Sequence, residues 1–161
     1  MLEVLYGAGL RVSELVGLNW NDVQWSAREL RLFGKGSKER VVPLGHYALD
    51  ALLVFAKHYQ ERFRKKAKGP LPIFISQWHR RINQRSIPRT IRKWAKEAGI
   101  NRRCNPHSFR HSCAQHMLDA GVDLRAVQTL LGHAHVETTQ IYATVSTRKL
   151  KSVHGITHPH A

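Results

Sequence analysis

Tyr142 follows His133 by nine residues in the stretch GHAHVETTQIYATV, in a chain with 4 tyrosines. A phenol there is either a half-buried aromatic or a nucleophile, and the residues elsewhere in the chain decide which. With a pKa of about 10, a phenol attacks poorly at neutral pH unless cations favour phenolate character and a neighbouring group takes its proton. Cations are present. In NPHSFRHS, His107 and Arg110 stand three apart and His111 lies four from His107, so one helix face carries all three and directs them toward one spot. Pro106 fixes that helix start, where unpaired backbone N–H groups and the positive dipole end favour a phosphate. Arg11 stands at a second helix start, where a fork-shaped cation can meet the same kind of anion. Lys35 sits at the tip of GKGSK, whose glycines let the backbone turn sharply and carry an ammonium outward. Gly132 sets His133 just outside a helix.

The elements that must position these groups are legible in outline. Leu2, Val4, Leu5 and Tyr6 form the last turns of a helix stopped by Gly7 and Gly9, and RVSELVGL reopens a short one. Because the sequence opens inside an element, the expectation is a fragment, or a truncated gene, of a longer protein. VQW and RELRLF read as strands, the second joined through GKGSK to ERVVPL as a hairpin. Leu49, Leu52, Leu53, Ala56, Tyr59 and Phe63 make one apolar helical stripe, closed by the basic stretch RKKAKGPLP. IFI reads as a short strand. Ser86 then caps a helix with Pro88 in its first turn, Ile87, Ile91, Trp94, Ala95 and Ala98 inward, and Gly99 at its end. Pro106 opens a helix that stops at Gly121, and Asp123 caps another that stops at Gly132. Tyr142 falls on a third, and Ser146 caps a fourth that runs to about Val153. The fold class is α+β, mainly helical, with a small antiparallel hairpin at one edge, in a single domain over residues 1–161.

Charge points to the partner. The chain carries 26 Lys and Arg against 11 acids, a formal net charge of +15, on the 42% apolar content of an ordinary globular protein. Ten of those cations, with Glu97 the single acid, lie between Ser76 and His116, interleaved with Trp78, Trp94, Asn83, Gln84 and Asn105. That is the pattern of a folded DNA-binding face. The longest apolar run, residues 51–56, is far short of the ~20 residues a membrane span needs. Cys104 and Cys113 are too few for a disulfide framework, and the start lacks a signal peptide's n- and h-regions, so a cytoplasmic protein is expected.

In this order, Arg11, Lys35, His107-x-x-Arg110, His133 and Tyr142 resemble the catalytic set of the tyrosine recombinases. GAGLRVSELVGL, GKGSKERVVPLG, HSFRHSCAQHMLDAGVDLRAVQTLLGH and TTQIY together resemble the Xer branch and span nearly the whole chain. The resemblance implies the catalytic domain of that family, with its N-terminal DNA-clasping domain absent. It also implies site-specific cleavage and rejoining of double-stranded DNA through a 3′-phosphotyrosine on Tyr142, by a tetramer formed with itself or a related recombinase. Arg11 and Arg110 would hold the non-bridging oxygens as charge develops. Lys35 would protonate the leaving 5′ oxygen, His107 would be the general base, and His133 would donate a hydrogen bond to the phosphate. The phosphotyrosine conserves the phosphodiester's energy, so the resemblance implies no cofactor, no metal and no small-molecule substrate. The tail from Ser146 to Ala161, with sparse apolar residues at Leu150, Val153 and Ile156, is expected to dock on a neighbouring protomer.

Plainer readings of the same residues compete with these. A lone tyrosine beside Ile141 and Val145 is ordinarily core, and only the other five positions overturn that. His107 and His111 have zinc-ligand spacing, but Ser108 stands where the metalloprotease signature needs Glu. GKGS lacks the upstream glycine of a phosphate-binding loop and joins two strands rather than a strand and a helix. RFRKKAK reads as a solvated helix end, and His111, His116 and His135 as structural or DNA-facing. Two other functions compete: a headless fragment that binds DNA without turning over, and a monomeric type IB topoisomerase, which fits the Xer-like motif spellings poorly.

Overall fold

The computed structural model of the chain describes residues 1–33, 39–63 and 70–132, so Lys35, His133, Tyr142 and the tail from Ser146 lie outside the described residues. Two short helices open the chain, α1 (Leu2–Gly7) and α2 (Val12–Gly17). Strands β1 (Val23–Gln24), β2 (Glu29–Phe33) and β3 (Glu39–Pro43) follow, then helices α3 (His46–Phe63), α4 (Ile87–Glu97), α5 (Pro106–Asp119) and α6 (Leu124–Leu131). The architecture is the mainly helical α+β one read from the sequence, with its expected hairpin extended by β1 into an antiparallel sheet of order β1-β2-β3. Among the described residues, no helix is long and apolar enough to cross a membrane.

The sheet turns one face to the core, as the period of a strand requires. Leu30 pairs with Val42, and both are fully buried, while Leu32 pairs with Arg40 two residues further along the same face. Arg31 lies on the outer face, where its Nε donates to Glu39 at 2.8 Å. Helix α1 packs between α3 and α5, burying Val4 and Leu5 completely. The larger core runs from α1 through the sheet to Leu52, Ile73, Ile87 and Ile91. A smaller one gathers Cys113, Met117, Val122, Val127, Leu130 and Leu131 between α5 and α6.

Several local expectations are corrected. In α3 the buried face is Ala48, Leu52 and Tyr59, with Leu49 and Ala56 half-buried, whereas Leu53 is exposed. Leu53 lies about 100° round the helix from Leu52, at the rim of the stripe, and the face covered by the core stops short of it. IFI is not a strand: Pro72 and Ile75 make isolated bridges to Asn19 and Arg81, and Ile73 hangs from the Leu18 carbonyl through its backbone N–H. Trp25 lies beyond β1, in the turn to β2, stacked with Trp20. Helix α4 touches the core by one edge, Ile87 and Ile91 with half-buried Ala95, and leaves Trp94 and Ala98 exposed. Ser86 does not cap α4 with its side chain; a short 3₁₀ turn, Gln84–Ser86, precedes the helix, and Asn83 caps that turn by accepting from the Arg85 backbone N–H. Arg89, Arg92, Lys93 and Lys96 consequently face solvent on the rest of α4, an exposed basic surface of the kind expected from the charge distribution.

Helices α5 and α6 begin and end as read. Asn105 caps α5 by accepting from the Ser108 backbone N–H, Asp123 caps α6 from Arg125 and Ala126, and Gly132 closes α6 in the left-handed region at φ 66°.

Candidate functional site

The site forms where the α1–α2 turn meets the start of α5 and the end of α6. Gly9 makes that turn with φ 56°, and a Cβ there would collide with Leu131 and press on the Cys113 sulfur. Only glycine combines this backbone with this close approach. The Gly9 carbonyl is thereby aimed at Arg110, whose Nη1 donates to it at 2.5 Å, while Nη2 donates to the Leu131 carbonyl, also at 2.5 Å. Arg110 is 6% exposed, so these bonds solve the problem of a buried cation and also satisfy an end carbonyl of α6. They use two of the five guanidinium donors, leaving the others for a ligand.

Arg11 stands beside it. Its Nη2 donates to the Gly132 carbonyl at 2.7 Å and its Nη1 to Glu14 at 3.1 Å. Both arginines therefore cap the C-terminal end of α6, the negative end of its dipole, immediately before His133 in the chain. Arg11, Arg110 and His107 line one open cleft of about 290 Å³, together with Leu10, Val12 and Pro106. Of the three α5 residues expected at one spot, Arg110 and His107 reach this cleft. His111 is exposed and is not among the lining residues: it lies on the opposite side of His107 from Arg110, about 100° round the helix from the arginine.

Burial, and then the neighbouring Arg11 guanidinium, pull Arg110 down to about 10, which leaves it charged at neutral pH. Two adjacent guanidinium groups repel each other, and an anion in the cleft would relieve that repulsion. The Cys113 thiol behind them is pushed up to about 12 by burial, so it is an inert packing group. Of the described tyrosines, burial raises both Tyr6 and Tyr59, and none of Tyr6, Tyr47 and Tyr59 lines the cleft. The Tyr6 hydroxyl is further engaged with Nδ1 of His116 at 2.6 Å.

The sequence reading missed two residues of this cluster. Glu14 is buried, and its carboxylate accepts from the Arg11 backbone N–H at 2.7 Å, from Arg11 Nη1, and from both terminal nitrogens of Arg40 at 2.6 and 3.0 Å. Burial pushes this carboxyl up, but the bonds and charges from Arg11 and Arg40 outweigh it and hold Glu14 below the usual carboxylate range. A signal existed for each. Glu14 stands three residues after Arg11, the spacing at which a side chain returns to cap the helix start. Arg40 alternates in phase with Val42, which puts a charge on the inward face of β3.

A sequence model of the phage integrase family matches residues 1–149. The tyrosine recombinase XerC of Actinobacillus succinogenes is 45% identical over all of this chain, which covers 53% of that protein. The crystal structure of XerA recombinase superposes with a TM-score of 0.75 at 32% identity, covering 93% of this chain and 54% of that one. XerH site-specific recombinase bound to difH substrate, in a pre-cleavage complex, superposes with a TM-score of 0.71 at 27% identity, covering 94% and 44%. The chain spans about half the length of the curated relatives it matches.

Proposed function

Since the chain belongs to the phage integrase family, we propose that it carries the strand-cleaving and rejoining chemistry of a tyrosine-type, Xer-like site-specific DNA recombinase. The observation that carries this reading is the pairing of Arg11 and Arg110 in one cleft with His107. Two fork-shaped guanidinium cations fixed by protein carbonyls suit the tetrahedral phosphodiester monoanion and the further negative charge of its pentacoordinate transition state. Such donors stabilise a transition state most when they need no rearrangement as charge develops. In this reading the scissile phosphate of double-stranded DNA sits in the cleft, with its non-bridging oxygens on the two guanidinium groups. His107 takes the phenol proton as Tyr142 attacks in line, and His133, next to the clamped end of α6, donates to the phosphate. Lys35, between β2 and β3, protonates the departing 5′ oxygen. The product is a 3′-phosphotyrosine, which the 5′ hydroxyl of a partner strand attacks in reverse, so the number of phosphodiester bonds is conserved. Residues 1–161 act as one catalytic domain, assembled as a tetramer on two duplexes with itself or a related recombinase, and the tail from Ser146 couples neighbouring protomers.

The test is adduct formation on nicked duplexes carrying candidate sites. The wild-type chain should give a covalent, SDS-stable protein–DNA product, and Tyr142→Phe should bind the same DNA yet give none. An adduct retained in Tyr142→Phe and mapping to another residue would overturn the assignment of the nucleophile. Absence of any adduct from the wild type would favour a DNA-binding role without turnover.

A further inference from the structure

Arg40 is out of place by the ordinary rules of a sheet. It lies on the core face of β3, opposite the buried Leu32 and in line with the buried Val42, where an aliphatic residue would pack without cost. Its Nε is buried and has no hydrogen-bond partner among the described residues, a penalty that an apolar residue there would avoid. What it does make is a two-pronged ion pair with Glu14, and its side chain is 19% exposed against 4% for Glu14. It also fills the space beside Gly132 so closely that any Cβ at that position would overlap its guanidinium.

We propose that Arg40 is a positioning residue, holding Glu14 so that Glu14 in turn fixes Arg11 toward the cleft, and thereby tying the sheet to the phosphate clamp. The inference rests on the reading of Arg11 as a phosphate ligand. Without Arg40, Glu14 would keep only its two bonds to Arg11, from the backbone N–H at 2.7 Å and from Nη1 at 3.1 Å, both at the start of its own six-residue helix α2, and neither ties the pair to the sheet. Arg40 approaches from the other side and occupies one lone pair on each oxygen, leaving the others for the Arg11 amide and guanidinium. The same residue stands at the base of the 34–38 segment on which Lys35 lies, one position after β3 begins. Arg40 thus joins β3 to Arg11 through one buried pair, and it packs beside Gly132 at the end of α6. Arg40 is not among the described residues that line the cleft, so it acts through those that do.

Two measurements on the full chain test this, one of them independent of turnover. The Arg11 backbone N–H donates to Glu14, so its proton resonance reports ionisation of that carboxyl. The charged groups facing Glu14 are Arg11 beside it, Arg40 from β3 and Arg110 from α5. In Arg40→Met the inflection of the Arg11 amide should move to higher pH, and in Arg40→Lys, should the methionine variant fold poorly, it should move in the same direction by less. Adduct formation on nicked duplex should fall about 10²-fold in Arg40→Met, the scale of a slightly misplaced reacting group, with DNA affinity nearly unchanged. In a Glu14→Gln background the same change should add little further loss. An Arg11 amide that titrates as in the wild type, or Arg40 and Glu14 losses that multiply, would overturn the proposal. A wild type that forms no adduct while its Arg11 amide responds to Arg40 would instead sink the strand-cleavage reading and leave the hold on Arg11 supported.

Discussion

Arg110→Lys separates the two jobs that this structure gives one side chain. The substitution keeps the charge and removes the fork. In the native fold Nη1 and Nη2 reach the Gly9 and Leu131 carbonyls, both at 2.5 Å, at a site only 6% exposed. A lysine ammonium lacks the planar fork that meets the two carbonyls at once, so we expect one charge-assisted bond to be lost and one carbonyl to be left buried without it. A bond of that kind contributes about 1.5–3 kcal/mol. We expect the urea midpoint to report a loss near the middle of that range, about 2 kcal/mol, and the Tm of a chain this long to fall by roughly 4–8 °C. On the proposed reading of the cleft, cleavage should fall further, by about 10²-fold or more, because the clamp would also lose a donor to the scissile phosphate. Adduct formation is therefore compared at a temperature where both proteins are fully folded. A lysine variant with an unchanged urea midpoint would refute the structural half of this reasoning, and one with near-normal cleavage would refute the shared clamp.

Gly132→Ala combines a left-handed backbone, which costs an L-residue roughly 1–2 kcal/mol, with a methyl group that displaces Arg40, so stability and cleavage should both drop; wild-type values for both would count against the tight seat described here. The Glu14 pair predicts the acid limb of stability. Its folded-state pKa lies below the ordinary value of 4.5, so its stabilising effect is present above that value and disappears as pH falls through the lower, folded-state one. Glu14→Gln should be less stable than the wild type near neutral pH, with the gap narrowing in acid; a constant gap in urea titrations would contradict this. DNA binding should be steep in salt, each phosphate contact adding about 0.9 to the negative slope of log K against log salt, and a flat response would show that the basic face is not the DNA face.

Much of this protein is written locally. Helix starts and stops at Asn105, Asp123, Gly121 and Gly132, the β2–β3 pairing and the buried pattern of α1 follow from caps, turns and periodicity, which act over a few residues. The order of Arg11, His107 and Arg110 along the chain was likewise enough to nominate them for one site. Leu53, Trp94 and Ala98 were misassigned because an apolar residue shows its hydrophobicity in the sequence but not how wide a stripe the neighbouring elements will cover. His111 went astray for a related reason, since a helix face is broad and only the packed partner selects the residues that reach a cleft. The support beneath the site was legible least of all. That Arg110 caps the end of α6, that Gly9 turns its carbonyl to meet it, and that Arg40 crosses from the sheet to Glu14 are contacts between residues far apart in sequence. Local propensity carries no information about such pairs. They exist because a buried charge must find partners wherever the fold brings them.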